Sequence, residues 1–99
     1  MTADVIVIGS GINGLVAAAE LAGSGRSVCL VEKADRLGGF LASDELTLPG
    51  FLHDTYSSWH PLFVTGGAYA TLGEDLHRHG LEYANADDAV TGSVSGDGR

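Results

Sequence analysis

Six residues near the start of the chain, Gly9-Ser10-Gly11-Ile12-Asn13-Gly14, have the glycine spacing of a loop that binds the pyrophosphate of a dinucleotide. In that chemistry the first glycine allows a sharp turn, the second lets phosphate approach the backbone without meeting a Cβ, and the third lets a helix pack closely on a strand. The N–H groups of Gly11, Ile12 and Asn13 would then donate to phosphate oxygens at a helix N-terminus. Glycines with this spacing also occur in plain turns, so the spacing alone leaves both interpretations open.

Glu32 is the second residue whose position suggests nucleotide chemistry. It follows the glycine loop by about 20 residues, a separation at which a carboxylate at a strand end accepts hydrogen bonds from ribose hydroxyls. A carboxylate there also repels a 2′-phosphate. The alternative is a solvated carboxylate with no ligand, but the loop and Glu32 together favour a dinucleotide that carries an ADP half.

A second glycine pair, Gly38-Gly39, indicates another close approach of backbone to ligand, with an ordinary loop as the alternative. No regular period persists between residues 32 and 64, which predicts a loop with at most short strands. A loop of this length in a small domain is typical of a segment that lines a site.

The elements around the glycine loop would position it. Val5 to Ile8 is a run of β-branched residues that predicts a strand buried on both faces, and Val28 to Val31 repeats the short apolar pattern. Between them, Ile12 to about Ala22 predicts a helix that ends at Gly23-Ser24-Gly25. Since parallel strands need such a crossover, the sequence predicts an α/β fold with an incomplete Rossmann-like βαβ unit.

The last third of the chain predicts one more helix and short strands of a partial second domain. Apolar residues recur at helical spacing at Tyr69, Leu72 and Leu76. Gly80 is placed to end this helix. Leu81 to Tyr83 and Ala89 to Val94 are typical of short strands, and Ser95-Gly96-Asp97-Gly98 is a hairpin signal. Because no returning strand follows that turn, we expect a truncated region.

Composition excludes several classes of protein. The chain has 99 residues, 44% of them hydrophobic, which allows at most one small globular domain. A net charge of −8 with five Lys and Arg excludes a nucleic-acid-binding surface. The single cysteine, Cys29, excludes an internal disulfide and a cysteine zinc cluster, and no metal site is predicted. The lone cysteine indicates a reducing compartment, so the expected location is cytoplasmic. The apolar start also lacks the flanks of a signal peptide, and no transmembrane segment is predicted.

A polar and aromatic cluster lies in the long loop, at His53, Asp54, Tyr56, Trp59 and His60. A histidine there could act as an acid or base near neutral pH. Because spacing fixes no partner for it, packing of the aromatic rings is the favoured interpretation, and the catalytic residues stay unknown. His77 and His79 are predicted to be surface residues and Cys29 a small core residue.

The segment from Asp4 to Phe63 resembles the N-terminus of phytoene-desaturase-like FAD-dependent oxidoreductases, which are similar to flavin amine oxidases. The most specific residues are Glu32-Lys33-Ala34-Asp35-Arg36-Leu37-Gly38-Gly39, followed by Leu48-Pro49-Gly50-Phe51 and His53-Asp54. The resemblance implies that the βαβ unit holds the ADP half of FAD. It places Glu32 on the adenosine ribose, Lys33 among the cofactor-binding residues, and Gly38-Gly39 near the ribityl chain and the pyrophosphate.

The resemblance also has departures and gaps. Phe40 stands where related amine oxidases have an arginine, so that phosphate contact is absent. The redox cysteine pair of disulfide reductases is absent too, which excludes their chemistry. Family members are several times longer. We therefore expect residues 1–63 to be the N-terminal part of an FAD-binding Rossmann domain and residues 64–99 the truncated start of a substrate or cap region.

The function implied by the resemblance is binding of the ADP moiety of FAD within an oxidoreductase that transfers a hydride from a small organic molecule to flavin. Such a segment would not be active alone, and its expected partners are that substrate and a complementary C-terminal polypeptide. Two alternatives stay open. One is a fragment of an NAD-binding dehydrogenase, and the other is a non-catalytic remnant or interaction module.

Overall fold

Two parallel strands joined by a helix form the part of the fold that positions the glycine loop. The computed structural model describes residues 2–85 and 95–96. Strand β1 spans Val5–Ile8, helix α1 spans Ile12–Gly23 and strand β2 spans Val28–Val31. The strands pair in parallel, with Val5 opposite Val28 and Ile8 opposite Val31. The predicted α/β fold with a Rossmann-like βαβ unit is confirmed.

Reciprocal hydrogen bonds between Asp4 and Ser27 join the N-terminal ends of the two strands. The Asp4 N–H donates to Ser27 Oγ at 2.9 Å, and the Ser27 N–H donates to Asp4 Oδ2 at 2.9 Å. The Ser27 backbone bond and then its hydroxyl bond hold the pKa of Asp4 below the ordinary value. This pair fixes the strand ends that lie opposite the glycine loop.

Glycine determines both ends of α1. The helix starts after Gly11, whose backbone is extended and which no side chain caps. At the other end Gly25 has a φ of +86°. Its N–H donates to the Ala22 carbonyl at 2.9 Å, and the Arg26 N–H donates to the Leu21 carbonyl at 3.2 Å, which is the Schellman arrangement. The predicted helix and its glycine stop are confirmed.

The two faces of the β1–β2 pair have different surroundings. Helix α1 packs on the face that carries Val5 and Val7, which are half-buried. On the other face Ile6 is 64% exposed and Ile8 is 85% exposed. The prediction of a strand buried on both faces is therefore wrong for the described residues, because only α1 covers the pair.

Two short antiparallel strands complete the first compact unit, which ends at Ser58. Strand β3 spans Ser43–Glu45 and strand β4 spans Leu52–Asp54, with Asp44 opposite His53. They fall in the segment predicted to be a loop with at most short strands, and that prediction is confirmed for residues 32–58.

The second unit contains two helices held by aromatic side chains. Helix α2 spans Pro61–Val64, which the sequence analysis missed, and helix α3 spans Gly67–Arg78. The Tyr69 ring lies 5.5 Å from the Phe63 ring and 6.1 Å from the Tyr83 ring, measured between centroids. Gly80, with a φ of +95°, ends α3 as predicted.

The strand predicted at Leu81 to Tyr83 is not formed. The Leu81 N–H instead donates to the Leu76 carbonyl at 3.0 Å, where it closes the end of α3. The strand predicted at Ala89 to Val94 lies outside the described residues, as does most of the predicted hairpin turn. The assignment of residues 64–99 to a substrate or cap region stays a prediction. No helix within the described part of the chain combines the length and apolar character needed to span a bilayer.

Candidate functional site

The glycine loop lies at the C-terminal end of β1, which is the end of a parallel sheet where ligands bind in open α/β folds. Gly9 has a φ of +95°, a conformation that favours glycine, and its N–H donates to the Val31 carbonyl at 2.7 Å. This bond joins the start of the loop to the end of β2. The loop is thereby held beside Glu32, the residue after that strand.

Gly14 and Gly11 differ in what surrounds them. A Cβ added at Gly14 would overlap the carbonyl oxygen of Gly9 and lie 3.6 Å from Val7 Cγ1. A Cβ added at Gly11 would have no atom within 4 Å. The fold therefore requires a glycine at position 14 for close packing of α1, whereas at position 11 it leaves open space beside the first N–H groups of the helix.

Ser10 and Glu32 meet at the centre of the site. Ser10 is fully buried, with 0% of its surface exposed. Its N–H donates to Glu32 Oε2 at 2.7 Å, and its hydroxyl donates to the same oxygen at 2.6 Å. The other carboxylate oxygen, Oε1, accepts the Ala34 N–H at 2.9 Å. The half-buried carboxylate is thus fixed against the glycine loop.

These hydrogen bonds stabilise the ionised form of Glu32. The Ser10 hydroxyl has the largest effect, followed by the Ala34 and Ser10 N–H groups, and together they lower the pKa of Glu32 from 4.5 to about 2. The site therefore presents a carboxylate that stays charged at any physiological pH. Such a group accepts hydrogen bonds from hydroxyls and repels phosphate.

The second glycine pair lies against the first loop. The Gly38 N–H donates to the Ser10 carbonyl at 3.0 Å, and Gly38 is buried. Gly38 and Gly39 have φ values of +111° and +60°. A Cβ added at Gly39 would lie only 3.1 Å from the Cα of Gly11. Backbone from two separate segments therefore converges beside the open N-terminus of α1.

Acid should destabilise the fold through Glu32. Because folding lowers the pKa of this group from 4.5 to about 2, its contribution to stability is complete above pH 4.5 and is lost as the pH falls towards 2. We expect Glu32→Gln to be less stable than the parent at neutral pH and to lose less stability across that window. Urea unfolding at several pH values, followed by circular dichroism, measures this difference.

The matched control for that measurement is Glu20→Gln, which removes the same charge from an exposed position on α1. It accounts for the general effect of net charge. Asp4, whose pKa is also lowered, contributes to the loss of stability in acid in both proteins. If the Glu32→Gln and parent curves stay parallel from neutral pH to pH 2, the carboxylate does not have the bonds described here.

Comparison with known proteins agrees with this geometry. The family model described as an NAD(P)-binding Rossmann-like domain matches residues 7–79. The chain belongs to this family. The matched region of this Rossmann-like domain includes the loop from Gly9 to Gly14, Glu32 and the Gly38-Gly39 pair, so the segments that converge in the structure all lie within it.

Curated relatives of this Rossmann-like domain include three enzymes. The chain is 46% identical to carotenoid 3,4-desaturase of Haloarcula japonica over 57 residues, and this aligned segment covers 58% of the chain and 11% of the relative. It is 34% identical over 88 residues to a component of limonene dehydrogenase from Castellaniella defragrans, covering 89% of the chain and 15% of the relative. It is 52% identical over 50 residues to 4,4'-diapolycopene oxygenase of Methylomonas sp, covering 50% of the chain and 10% of the relative.

These relatives confirm the predicted resemblance to phytoene-desaturase-like FAD-dependent oxidoreductases. The chain spans between 10% and 15% of the length of the three relatives. The similarity therefore concerns only that share of each relative.

The predicted cofactor-binding residues of this Rossmann-like domain are brought together with one exception. Gly9, Gly11 and Gly14 form the loop with Ile12 and Asn13 at the start of α1, and Glu32, Gly38 and Gly39 adjoin it. The Lys33 side chain is exposed, and only its N–H makes a small contribution to the low pKa of Glu32. Their role in binding a cofactor stays a prediction.

The polar and aromatic cluster of the long loop has local partners. His53 Nε2 lies 2.9 Å from Thr47 Oγ1, and Tyr56 packs on Phe40 with ring centroids 5.4 Å apart. In the second unit the His60 and Tyr83 rings are edge to face at 6.0 Å. These contacts support the interpretation that the aromatic rings pack the loop, and they assign no catalytic residue.

Ser10 is the site residue that sequence reasoning missed. It occupies the variable position between the first two glycines, where the fingerprint specifies no side chain. The signal that could have found it is its hydroxyl, because a small polar residue flanked by glycines can reach a carboxylate at the end of the neighbouring strand. Only the structure shows that it also contacts Gly38.

Proposed function

We propose that this chain binds the ADP half of FAD. The N–H groups of Gly11, Ile12 and Asn13 take the pyrophosphate, and Glu32 takes a ribose hydroxyl. The Gly38-Gly39 backbone lies beside the pyrophosphate and the ribityl chain. The observation that carries the proposal is the bonding of Ser10 to both Glu32 and Gly38, because it gathers the three segments at the open start of α1.

The site has the open space and the hydrogen-bond donors that the pyrophosphate of a dinucleotide needs. Among the described residues, a Cβ at Gly11 would meet no atom within 4 Å, which leaves room for a ligand atom at hydrogen-bonding distance from the backbone. The first N–H groups of α1 have no partner within the helix, and no side chain caps them. They supply donors and a partial positive charge, so the anion needs no lysine or arginine in a chain of net charge −8.

Glu32 selects among nucleotides by its charge. An ionised carboxylate accepts the hydrogen of a ribose hydroxyl but repels a 2′-phosphate. Since the pKa of Glu32 is about 2, the charge is present at any pH at which the protein works. FAD and NAD both offer an unmodified adenosine ribose, whereas NADP does not. The Gly38-Gly39 backbone beside Gly11 favours FAD over NAD. It offers a second stretch of glycine backbone that a longer cofactor can approach closely.

Bound FAD would supply hydride acceptance from an organic substrate, while this chain would hold and orient the adenosine end of the cofactor. We propose a whole oxidoreductase of the phytoene-desaturase type, located in the cytoplasm, in which residues 64–99 begin a substrate or cap region. The 99-residue chain alone would bind but not catalyse, and a complementary C-terminal polypeptide would complete it. The relatives named desaturase, dehydrogenase and oxygenase support this reaction class.

Titration of the chain with FAD, ADP, NAD and NADP, followed by backbone amide shifts in NMR, tests the proposal. We expect FAD, ADP and NAD to shift the amides of residues 9–14, 32 and 38–39. NADP should bind at least about tenfold more weakly, because one charged contact is replaced by repulsion. Glu32→Gln should bring NADP closer to NAD, while Glu20→Gln should not.

Three results would contradict this proposal or one of its parts. NAD binding more tightly than FAD would favour a fragment of an NAD-binding dehydrogenase, the interpretation that suits Glu32 equally well. NADP binding as tightly as FAD would contradict the role of Glu32. No shift with any nucleotide, together with self-association of the chain, would favour a remnant or an interaction module that uses the exposed face of Ile6 and Ile8.

A further inference from the structure

Phe40 and Tyr56 form an exposed aromatic pair in the first compact unit. Their ring centroids lie 5.4 Å apart and their ring planes are inclined at 57°. Phe40 is 73% exposed and Tyr56 is 71% exposed, so most of both residues lies in water. The contact between the two rings covers only a small part of either. A ligand with an apolar surface would therefore gain free energy by covering the rest.

Phe40 belongs to the same turn as the second glycine pair. The Leu41 N–H donates to the Gly38 carbonyl at 3.0 Å, which makes Gly39 and Phe40 the central residues of a four-residue turn. Gly39 lies against the glycine loop, since a Cβ added there would be 3.1 Å from the Cα of Gly11. Phe40 is thus one residue away from the backbone that adjoins the open N-terminus of α1.

The hairpin of β3 and β4 brings Tyr56 to the same place. The Thr55 N–H donates to the Ala42 carbonyl at 2.8 Å, one residue beyond the paired strands. Phe40 precedes this bond along the chain and Tyr56 follows it. The two rings therefore meet at the open end of the hairpin, on the side where the chain enters from the glycine pair.

The charges around the open end of the hairpin do not suit a phosphate. Asp54 ends β4, and Asp44 on β3 accepts the Thr55 hydroxyl at 3.3 Å. Arg36, the nearest arginine in the sequence to the ring pair, lies 3.6 Å from the Asp44 carboxylate. Two carboxylates and one guanidinium have a negative sum, which disfavours an anion there and leaves an uncharged ring acceptable. The start of α1 has the opposite preference, because its N–H groups favour an anion.

We propose that Phe40 and Tyr56 form a stacking surface for the flavin ring of FAD. The inference rests on the proposed function, since a pyrophosphate at the start of α1 directs the rest of the cofactor along Gly39 towards this pair. Aromatic rings prefer offset-stacked or edge-to-face arrangements, and a pair inclined at 57° offers a third ring one face and one edge. ADP lacks the flavin ring. The surface therefore strengthens the binding of FAD and has no effect on ADP.

The test compares the affinities of FAD and ADP for the parent chain, Phe40→Ala and Phe51→Ala by NMR titration. In the parent we expect FAD to bind at least about tenfold more tightly than ADP, because stacking on an aromatic side chain adds to the contacts of the shared ADP half. In Phe40→Ala this ratio should fall below about threefold, while the affinity for ADP stays within about twofold of the parent value.

Phe51→Ala is the matched control. Phe51 is 60% exposed and directly precedes β4, at the opposite end of that strand from Tyr56. The same substitution on the same hairpin should keep the parent ratio of FAD to ADP affinity. Phe40→Leu keeps an apolar side chain without a ring and should lower the ratio as alanine does. It also replaces Phe40→Ala should that variant not fold, and a parent-like ratio in Phe40→Leu would contradict stacking.

A direct readout of the contact is the nuclear Overhauser effect between protons of the flavin ring and protons of the two aromatic side chains. We expect such effects from both Phe40 and Tyr56 in the complex of the parent with FAD. A role of the pair in folding alone would not produce them. Their absence at saturating FAD would overturn the proposal.

The affinity of the parent for ADP separates this inference from the proposed function. Binding of ADP and FAD with equal affinity, or an equal fall of the ratio in Phe40→Ala and Phe51→Ala, overturns the stacking surface alone. Self-association of the parent that Phe40→Ala abolishes, without a preference for FAD, would assign the pair to a contact between copies of the chain and overturn it too. Failure to bind either nucleotide overturns the proposed function together with the stacking surface.

Discussion

Gly14→Ala is expected to lower the free energy of unfolding by about 3 kcal/mol or more, at the upper end of the cost of overpacking. An alanine Cβ would overlap the Gly9 carbonyl oxygen and lie 3.1 Å from the Gly9 carbonyl carbon. Backbone atoms cannot rotate away as a side chain does, so α1 would have to move off the loop and β1. Urea unfolding followed by circular dichroism measures the loss.

Gly23→Ala is the matched control, because it makes the same change in the same helix. A Cβ at Gly23 meets no atom within 4 Å. Alanine there should be neutral or stabilising by up to about 1 kcal/mol, given its higher helix propensity. Equal stability of the two variants would mean that α1 does not sit on the glycine loop as described.

A stability loss of this size matters because the described residues bury little apolar surface. Their only fully buried side chain is that of Ser10, and one face of the β1–β2 pair is open. A domain with little buried apolar surface has a small margin of stability. We therefore expect Gly14→Ala to lose nucleotide binding together with its fold, which makes it unsuitable for separating binding from folding.

Much of the site could be predicted because its signals are local. The β-branched run from Val5 to Ile8, the alanine-rich segment after it and the glycines between them each specify an element through short-range preferences. Glu32 follows at a spacing set by the length of one crossover. Gly80 ends α3 for the same local reason, since it adopts a φ of +95° that other residues avoid.

What could not be predicted depends on contacts between distant residues. The bonds of Ser10 to Glu32 and Gly38 join positions 22 and 28 residues apart. The strand prediction at Leu81 to Tyr83 was wrong because the Leu81 N–H donates to the end of α3. Strand propensity takes no account of this competing hydrogen bond. The open face of Ile6 and Ile8 could not be foreseen because apolar runs do not say which neighbours cover them.

Gly11→Ala is expected to keep the fold and to weaken FAD and ADP binding more than about tenfold. The new Cβ meets no atom within 4 Å, and the backbone at Gly11 has a φ of −64°, which alanine adopts freely. Alanine is a poorer helix cap than glycine, so the stability loss should stay below about 1 kcal/mol. The phosphate must come within about 3 Å of the same backbone, where the Cβ now lies.

Binding and stability are measured on the same samples, by titration with ADP and by urea unfolding. Gly23→Ala, which adds the same methyl group at the far end of α1, should bind ADP as the parent does. Together with Gly14→Ala these variants separate two roles of one fingerprint: Gly14 serves the packing of the helix, and Gly11 serves the ligand. Parent-like ADP affinity in Gly11→Ala would show that the pyrophosphate does not approach the loop there, and the assignment of the α1 N-terminus as its binding site would fail.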